Sequence, residues 1–164
     1  MIELIVLDVD GCLTDGKIVY SEQGDEIKAF NVKDGLAVKS WLRLGKQAAI
    51  ITGRRSDIVR RRAEELGITY LYQGVKDKLE RLETLTAELG IAMEQVAAIG
   101  DDLNDYRMLQ SVGASFAPSD ASGYITGIVG TVLQRKGGDA AVREMIESIV
   151  KEQGEEHAFL AFWQ

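Results

Sequence analysis

The residues best able to do chemistry are acids, a hydroxyl and an ammonium group that follow short apolar runs. In chain order they are Asp8 and Asp10 after residues 4–7, Thr52, Gly53 and Arg54 after residues 48–51, Lys78 soon after residues 70–72, and Asp101, Asp102 and Asp105 after residues 96–99. A carboxylate nucleophile, further acids, a hydroxyl and a fixed cation are the groups that phosphoryl transfer through a covalent intermediate needs. The pattern therefore predicts a phosphoryl-transfer site.

The first two acids, Asp8 and Asp10, end a run that is apolar and β-branched. Such a run is typical of a strand buried on both faces, and two negative charges at its end require a compensating cation. Mg²⁺ suits this place because it prefers oxygen ligands. We expect it to be bound by side-chain oxygens of Asp8 and Asp101 and by the backbone carbonyl of Asp10. Asp8 is then placed to attack phosphorus, and the Asp10 side chain is free to act as general acid and base.

The remaining polar residues fit supporting roles in the same reaction. We expect Lys78 to hold Asp8 and the phosphoryl group together as a point charge. The Thr52 hydroxyl and the Gly53 N–H would donate to the phosphoryl oxygens, where charge sits in the transition state. Asp102 and Asp105 would not contact the substrate themselves but would orient Lys78 and the water molecules around the metal ion.

Each piece of this set also has a purely structural explanation. An isolated Asp-x-Asp pair often caps a turn, Thr52-Gly53 fits a strand-end turn, and Asp101-Asp102 fits a helix N-terminus. Found together at strand ends, these pieces favour an active site. A phosphate-accepting signalling module carries similar residues, but its acceptor aspartate would follow a middle strand, where this chain has Thr52-Gly53.

The hydrophobic pattern predicts the elements that position these residues. Apolar β-rich runs predict strands over residues 4–7, 48–51, 70–72, 96–99, 114–117 and 128–132, and helical patterns cover residues 34–44, 56–66, 78–89, 103–112, 121–126 and 140–153. This alternation predicts an α/β fold, a Rossmann-like parallel sheet with helices on both faces. Residues 17–30 break the alternation and predict a small β-hairpin after the first strand.

Composition bounds the protein class. The chain has 164 residues, of which 46% are hydrophobic and 27% charged, as expected for a single globular domain over residues 1–164. A net charge of −7 argues against nucleic-acid and membrane surfaces as partners. With Cys12 as the one cysteine, no disulfide can form within the chain, and we expect this residue to pack as a small apolar side chain. The absence of a signal-peptide pattern adds to an expected cytoplasmic location.

Two stretches lie outside this pattern. A basic cluster contains Arg54, which follows a strand end and is assigned an anion-contacting role, and Arg62, which we also assign to substrate binding. Arg60 and Arg61 in the same cluster fit an exposed helix face equally well. The C-terminal tail, residues 154–164, is aromatic, and we expect it to dock on its own core or on a neighbour.

The motifs resemble those of a known superfamily. Residues 8–14, Thr52-Gly53, Lys78 and residues 100–105 look like the four motifs of the haloacid dehalogenase superfamily in its phosphatase branch. Residues 28–35, 51–54, 71–74 and 137–144 further resemble the 3-deoxy-D-manno-octulosonate 8-phosphate (KDO 8-phosphate) phosphatases of lipopolysaccharide synthesis. The resemblance runs from about residue 4 to residue 149.

This resemblance implies a capless, Mg²⁺-dependent phosphatase acting through an aspartyl-phosphate. It also implies a homotetramer that the hairpin helps to assemble and in which neighbouring subunits cover each active site. Arg54 resembles the eight-carbon branch, because the related phosphatases of nine-carbon 2-keto-3-deoxy sugar acids tend to carry an acid there. The nine-carbon substrate stays an alternative, as does a non-catalytic partner of a nucleotidyl-sugar synthetase, although the intact Asp8, Asp10, Lys78 and Asp101 argue against the latter.

Overall fold

A computed structural model describes residues 1–164 and is built on one parallel sheet of six strands. The strands in chain order are β1 (Leu4–Leu7), β2 (Val19–Tyr20), β3 (Glu26–Ile27), β4 (Gln47–Ile51), β5 (Tyr70–Tyr72), β6 (Val96–Ile99), β7 (Ala114–Ala117) and β8 (Thr131–Val132). The main sheet has the order β5-β4-β1-β6-β7-β8, and β2 and β3 form a separate antiparallel pair. The α/β fold predicted from the alternation of strands and helices is confirmed.

The central strand β1 lies where the strand order reverses. Leu4 is paired with Gln47 of β4 on one side and with Val96 of β6 on the other. The chain therefore leaves β1 toward one edge of the sheet and later returns to fill the other. In open α/β sheets a ligand crevice forms outside the carboxyl ends of the strands at such a point.

Helices cover both faces of the sheet. They are α1 (Val32–Arg43), α2 (Asp57–Leu66), α3 (Lys78–Leu89), α4 (Tyr106–Ser111), α5 (Gly123–Thr126), α6 (Ala141–Glu152) and α7 (Glu156–Ala161). Ile5 and Leu7 of β1 belong to the core under α1, α2 and α6, whereas Leu4 and Val6 belong to the core under α3 and α4. Every residue of β1 is buried, which explains why its sequence is continuously apolar. No helix has both the length and the apolar character that a membrane crossing requires.

Caps fix several helix boundaries. Asn31 accepts a hydrogen bond from the Lys33 N–H, so α1 begins at Val32, two residues before its predicted start. Asp77 caps α3 in the same way and leaves Lys78 as the first helical residue. Gly67 adopts a left-handed conformation after α2, as its position after a leucine predicts.

Several predicted elements are shorter in the structure. The predicted helix over residues 103–112 is divided into a 3₁₀ turn, Leu103–Asp105, and α4, because Asp102 caps the turn by accepting from the Leu103 N–H. The predicted strand over residues 128–132 is reduced to β8, because the N–H groups of Ile128 and Val129 donate to the Ile125 carbonyl instead. The predicted helices over residues 121–126 and 140–153 begin at Gly123 and Ala141.

The hairpin and the C-terminal tail both lie outside the sheet. In the hairpin, Val19 pairs with Ile27 within the predicted span, and both side chains are exposed. In the tail, Phe159 of α7 is buried and the Trp163 indole N–H donates to the Ser40 hydroxyl of α1 at 3.0 Å. The tail therefore docks on its own core, which is one of the two expected outcomes.

Candidate active site

The first acid of the site, Asp8, directly follows β1. Its backbone N–H donates to the Ile99 carbonyl of β6 at 3.3 Å, which fixes the start of the following loop. The chain then forms a wide turn over Val9–Leu13, and the Thr14 hydroxyl accepts from the Gly11 N–H at 3.3 Å. Cys12 is fully buried beneath this turn, as predicted. The loop thus holds the acid after β1 in a fixed place.

An ammonium group lies between two buried carboxylates. Lys78 Nζ is 2.6 Å from Asp8 Oδ1 and 2.5 Å from Asp105 Oδ1, and all three side chains are almost completely buried. Burial alone would lower the pKa of Lys78, but the two carboxylates outweigh it and raise this pKa above its usual value. Lys78 is therefore a permanent cation that fixes the orientation of both acids.

Asp105 connects this ion pair to the loop after β6. Its second oxygen, Oδ2, accepts from the Asp101 N–H at 3.1 Å and lies 3.5 Å from the Asp102 nitrogen. Gly100 is required beside it, because a Cβ at Gly100 would stand 2.5 Å from the Cβ of Asp105. The sequence stretch after β6 therefore closes tightly around the Asp105 carboxylate.

The donor atoms beside this ion pair fit a hard divalent cation. Carboxylate oxygens of Asp8 and Asp101 and the Cys12 sulfur lie within 4.8 Å of one another. Burial raises the pKa of Asp8 to about 7 against the opposing effect of Lys78, and burial together with Asp105 and Asp102 raises the pKa of Asp101 to about 7. Burial also raises the pKa of the Cys12 thiol, which keeps it neutral. Two oxygen ligands beside a neutral thiol fit Mg²⁺, and a bound cation would relieve the repulsion between the acids.

These groups open onto a cleft of about 290 Å³ at the carboxyl ends of the strands. The cleft is lined by Asp8, Asp10, Gly16, Ile18, Thr52, Gly53, Arg54, Asp101, Asp102 and Asn104. Most of the predicted site residues therefore meet in one place. Gly16, Ile18 and Asn104 were not predicted; Asn104 lies within the acidic stretch 101–105, whereas no local signal distinguishes Gly16 or Ile18.

The two predicted arginines lie in different places. Arg54 is about half exposed at the edge of the cleft, with its Nη2 atom 3.6 Å from Glu26 Oε1 of the hairpin. Arg62 does not line the cleft of its own chain. Its guanidinium packs over the Phe30 ring, 5.6 Å from the ring centre, and covers Gly35.

The side chain of Asp10 has a partner that the sequence did not reveal. Lys28 Nζ lies 2.5 Å from Asp10 Oδ1. The predicted role of the Asp10 side chain as general acid and base therefore has to operate beside this ammonium. Lys28 belongs to the stretch 28–35 that carried the family resemblance, but no chemical pattern in that stretch indicated this contact.

The fold and the cleft together define a hydrolase of the haloacid dehalogenase kind. The family model for haloacid dehalogenase-like hydrolases matches residues 68–145. The 3-deoxy-D-manno-octulosonate 8-phosphate phosphatase of Yersinia pestis is 45% identical over 152 residues, which cover 93% of this chain and 81% of the relative. The chain belongs to the KDO 8-phosphate phosphatase family of haloacid dehalogenase-like hydrolases.

Solved structures agree with this membership. The phosphatase of the same name from Moraxella catarrhalis, in complex with magnesium, phosphate and KDO, is 42% identical, with a TM-score of 0.96 over 99% of this chain and 94% of that one. A cobalt-bound form of the Haemophilus influenzae phosphatase is 40% identical, with a TM-score of 0.89 over 93% of this chain and 86% of that one.

Proposed function

We propose that this chain is a Mg²⁺-dependent phosphatase that hydrolyses KDO 8-phosphate to KDO and phosphate through an aspartyl-phosphate on Asp8. The observation that carries the proposal is the arrangement around Lys78, whose ammonium fixes Asp8 at the cleft with Asp101 close by. The family's Moraxella member was solved with magnesium, phosphate and KDO, which supports the same ligands here.

The reaction has two chemical steps at Asp8. In the first, an Asp8 carboxylate oxygen attacks phosphorus, the bond from phosphorus to the sugar oxygen breaks, and Asp10 gives that oxygen a proton. In the second, Asp10 takes a proton from water as the water oxygen attacks phosphorus, which releases phosphate and restores the Asp8 carboxylate. Asp10 thus ends the cycle protonated, ready for the next substrate.

The other residues of the cleft stabilise charge. Lys78 neutralises Asp8 and faces the phosphoryl group, while Thr52 and Gly53 supply donors for its oxygens. Mg²⁺, held by Asp8, Asp101 and the Asp10 carbonyl, would supply positive charge that lets an anionic nucleophile approach an anionic phosphate. Asp102 and Asp105 position the residues that stabilise charge. Asp105 does so through its contacts with Lys78 and with the Asp101 N–H.

Arg54 is the proposed contact for the sugar carboxylate. Its guanidinium lies at the edge of the cleft, about half exposed, and is a bidentate partner for a carboxylate. The competing substrate is a nine-carbon 2-keto-3-deoxy acid 9-phosphate. Purified protein should show a higher kcat/KM for KDO 8-phosphate than for the nine-carbon substrate, and Arg54→Met should lower kcat/KM for KDO 8-phosphate because the carboxylate contact is lost. Equal values for the wild type would overturn the eight-carbon assignment.

The assembly proposed is a cytoplasmic homotetramer of single-domain subunits. Its support is the hairpin, which exposes the apolar side chains of Val19, Tyr20 and Ile27. Since Arg62 lies away from its own cleft, its proposed role in substrate binding requires the cleft of a neighbouring subunit. Size-exclusion chromatography with light scattering measures the molar mass of the protein in solution. The mass of a tetramer is expected, and the mass of a monomer would overturn the proposed assembly.

A further inference from the structure

The hairpin places one buried charge against a residue of the catalytic cleft. Lys28 directly follows β3, and its side chain is 2% exposed, although the hairpin residues Val19 and Ile27 are about half exposed. Its Nζ atom lies 2.5 Å from Asp10 Oδ1 and 3.3 Å from Glu26 Oε1. A buried ammonium is stable only where such partners replace its water, so this contact is a specific one.

Lys28 stands behind Asp10 rather than beside the substrate. Asp10 lines the cleft and keeps about a fifth of its side-chain surface exposed, whereas Lys28 does not line the cleft. The ammonium therefore contacts the proposed acid and base of the reaction directly, from the side away from the cleft.

We propose that Lys28 is a positioning residue that holds the Asp10 carboxylate in the orientation for proton transfer. The proposal rests on the proposed function, in which Asp10 is the acid and base. The Lys28 ammonium occupies Oδ1 and fixes the side-chain rotamer, which leaves Oδ2 to exchange the proton with the leaving oxygen and with water. Proton transfer depends strongly on such geometry.

Glu26 extends this contact to the edge of the cleft. Its Oε1 atom lies 3.3 Å from Lys28 Nζ and 3.6 Å from Arg54 Nη2. Two hairpin residues, Lys28 and Glu26, therefore connect Asp10, which exchanges the proton, to Arg54, which is proposed to hold the sugar carboxylate. This placement gives the hairpin a task inside the site of its own subunit, separate from any task in assembly.

The test compares substrates whose leaving groups differ in their need for a proton. The alkoxide of a sugar phosphate must be protonated as it leaves, whereas p-nitrophenolate leaves without help. We would measure kcat/KM of Lys28→Met, Lys28→Arg and Asp10→Asn with KDO 8-phosphate and with p-nitrophenyl phosphate. Lys17→Met is the matched control, because Lys17 lies on the same hairpin but is exposed and pairs only with Asp15.

We expect Lys28→Met to lower kcat/KM for KDO 8-phosphate about 10- to 100-fold and for p-nitrophenyl phosphate by less than about threefold. Lys28→Arg should recover most of the loss, and Lys17→Met should match the wild type. Adding Lys28→Met to Asp10→Asn should cause no further loss, because the two residues act as a unit. Retained p-nitrophenyl phosphate activity shows in the same assay that the variant is folded.

Two results would overturn the proposal: an equal loss with both substrates, which a merely structural lysine would give, or no loss with either. The proposed function is overturned by a different result, namely that the wild type does not hydrolyse KDO 8-phosphate. In that event the leaving-group comparison is made with a primary alkyl phosphate that the wild type does hydrolyse, and the same two results decide on Lys28.

Discussion

The carboxylate of Asp101 lies directly against the backbone of Gly11, so close that a Cβ at position 11 would overlap it. Gly11 also has a φ of +99°, a conformation that L side chains rarely adopt. The contact joins the loop after β1 to the loop after β6, which are the two loops that carry the proposed Mg²⁺ ligands. A side chain at position 11 would therefore push Asp101 away from Asp8.

Replacing Gly11 with alanine should weaken the metal site. We expect the apparent affinity of Gly11→Ala for Mg²⁺ to fall at least about tenfold, because Asp101 can no longer approach Asp8. Calorimetric titration with Mg²⁺ alone and Mg²⁺ activation of p-nitrophenyl phosphate hydrolysis both measure this. Gly123→Ala is the control, since a Cβ at Gly123 meets nothing within 4 Å. An unchanged Mg²⁺ affinity in Gly11→Ala would contradict the assignment of Asp101.

Removing the Lys78 ammonium should destabilise the fold as well as stop catalysis. Lys78→Met leaves Asp8 and Asp105 buried without their shared cation, which costs about 3–5 kcal/mol for a buried pair. Urea unfolding at pH 7 without Mg²⁺ measures the change. The exposed neighbour Lys76 provides the control variant Lys76→Met. A Lys78→Met protein as stable as the wild type would show that the ammonium does not neutralise these carboxylates.

The buried Asp34 should make stability depend on pH. Its Oδ1 atom accepts from the Arg143 N–H at 2.8 Å, Oδ2 has no partner, and burial raises its pKa from 3.8 to about 6. Because the folded-state pKa is the higher one, the protonated acid stabilises the fold fully below pH 3.8, and this contribution is lost as pH rises through 6.

The variant that tests this effect is Asp34→Asn, which keeps the acceptor for the Arg143 N–H and cannot ionise. Relative to the wild type, it should gain stability between pH 4 and pH 7, by an amount on the order of 3 kcal/mol. Denaturant unfolding of both proteins across this range measures the difference, and other titrating groups cancel between them. A difference that does not change with pH would contradict the raised pKa.

Much of the cleft could be predicted because a parallel sheet gathers its strand ends. Asp8, Thr52 and Asp101 each follow an apolar run, and neighbouring parallel strands must bring such positions together. Lys78 was predictable for a similar reason, since Asp77 caps α3 and fixes the first helical residue at the same edge. Local sequence therefore decided both the strand ends and the helix start that position these groups.

The parts that could not be predicted depend on contacts between distant segments. The Lys28–Asp10 pair joins a hairpin to a loop, and no local pattern records which side chain of a hairpin turns inward. Arg62 packs on Phe30 and does not line the cleft, although its sequence neighbours gave no sign of this. Residues 128–130 are apolar or small like a strand, but hydrogen bonds to the Ile125 carbonyl keep Ile128 and Val129 out of the sheet.

The most direct test of the account is to find the phosphoryl group on Asp8. Wild-type protein is mixed with Mg²⁺ and KDO 8-phosphate, quenched in acid within the first turnover, and its peptides are analysed by mass spectrometry. We predict one phosphoryl group on the peptide that carries Asp8, and none in Asp8→Asn, which should be folded and inactive. Normal turnover by Asp8→Asn, or a phosphoryl group on another residue, would contradict the proposed mechanism.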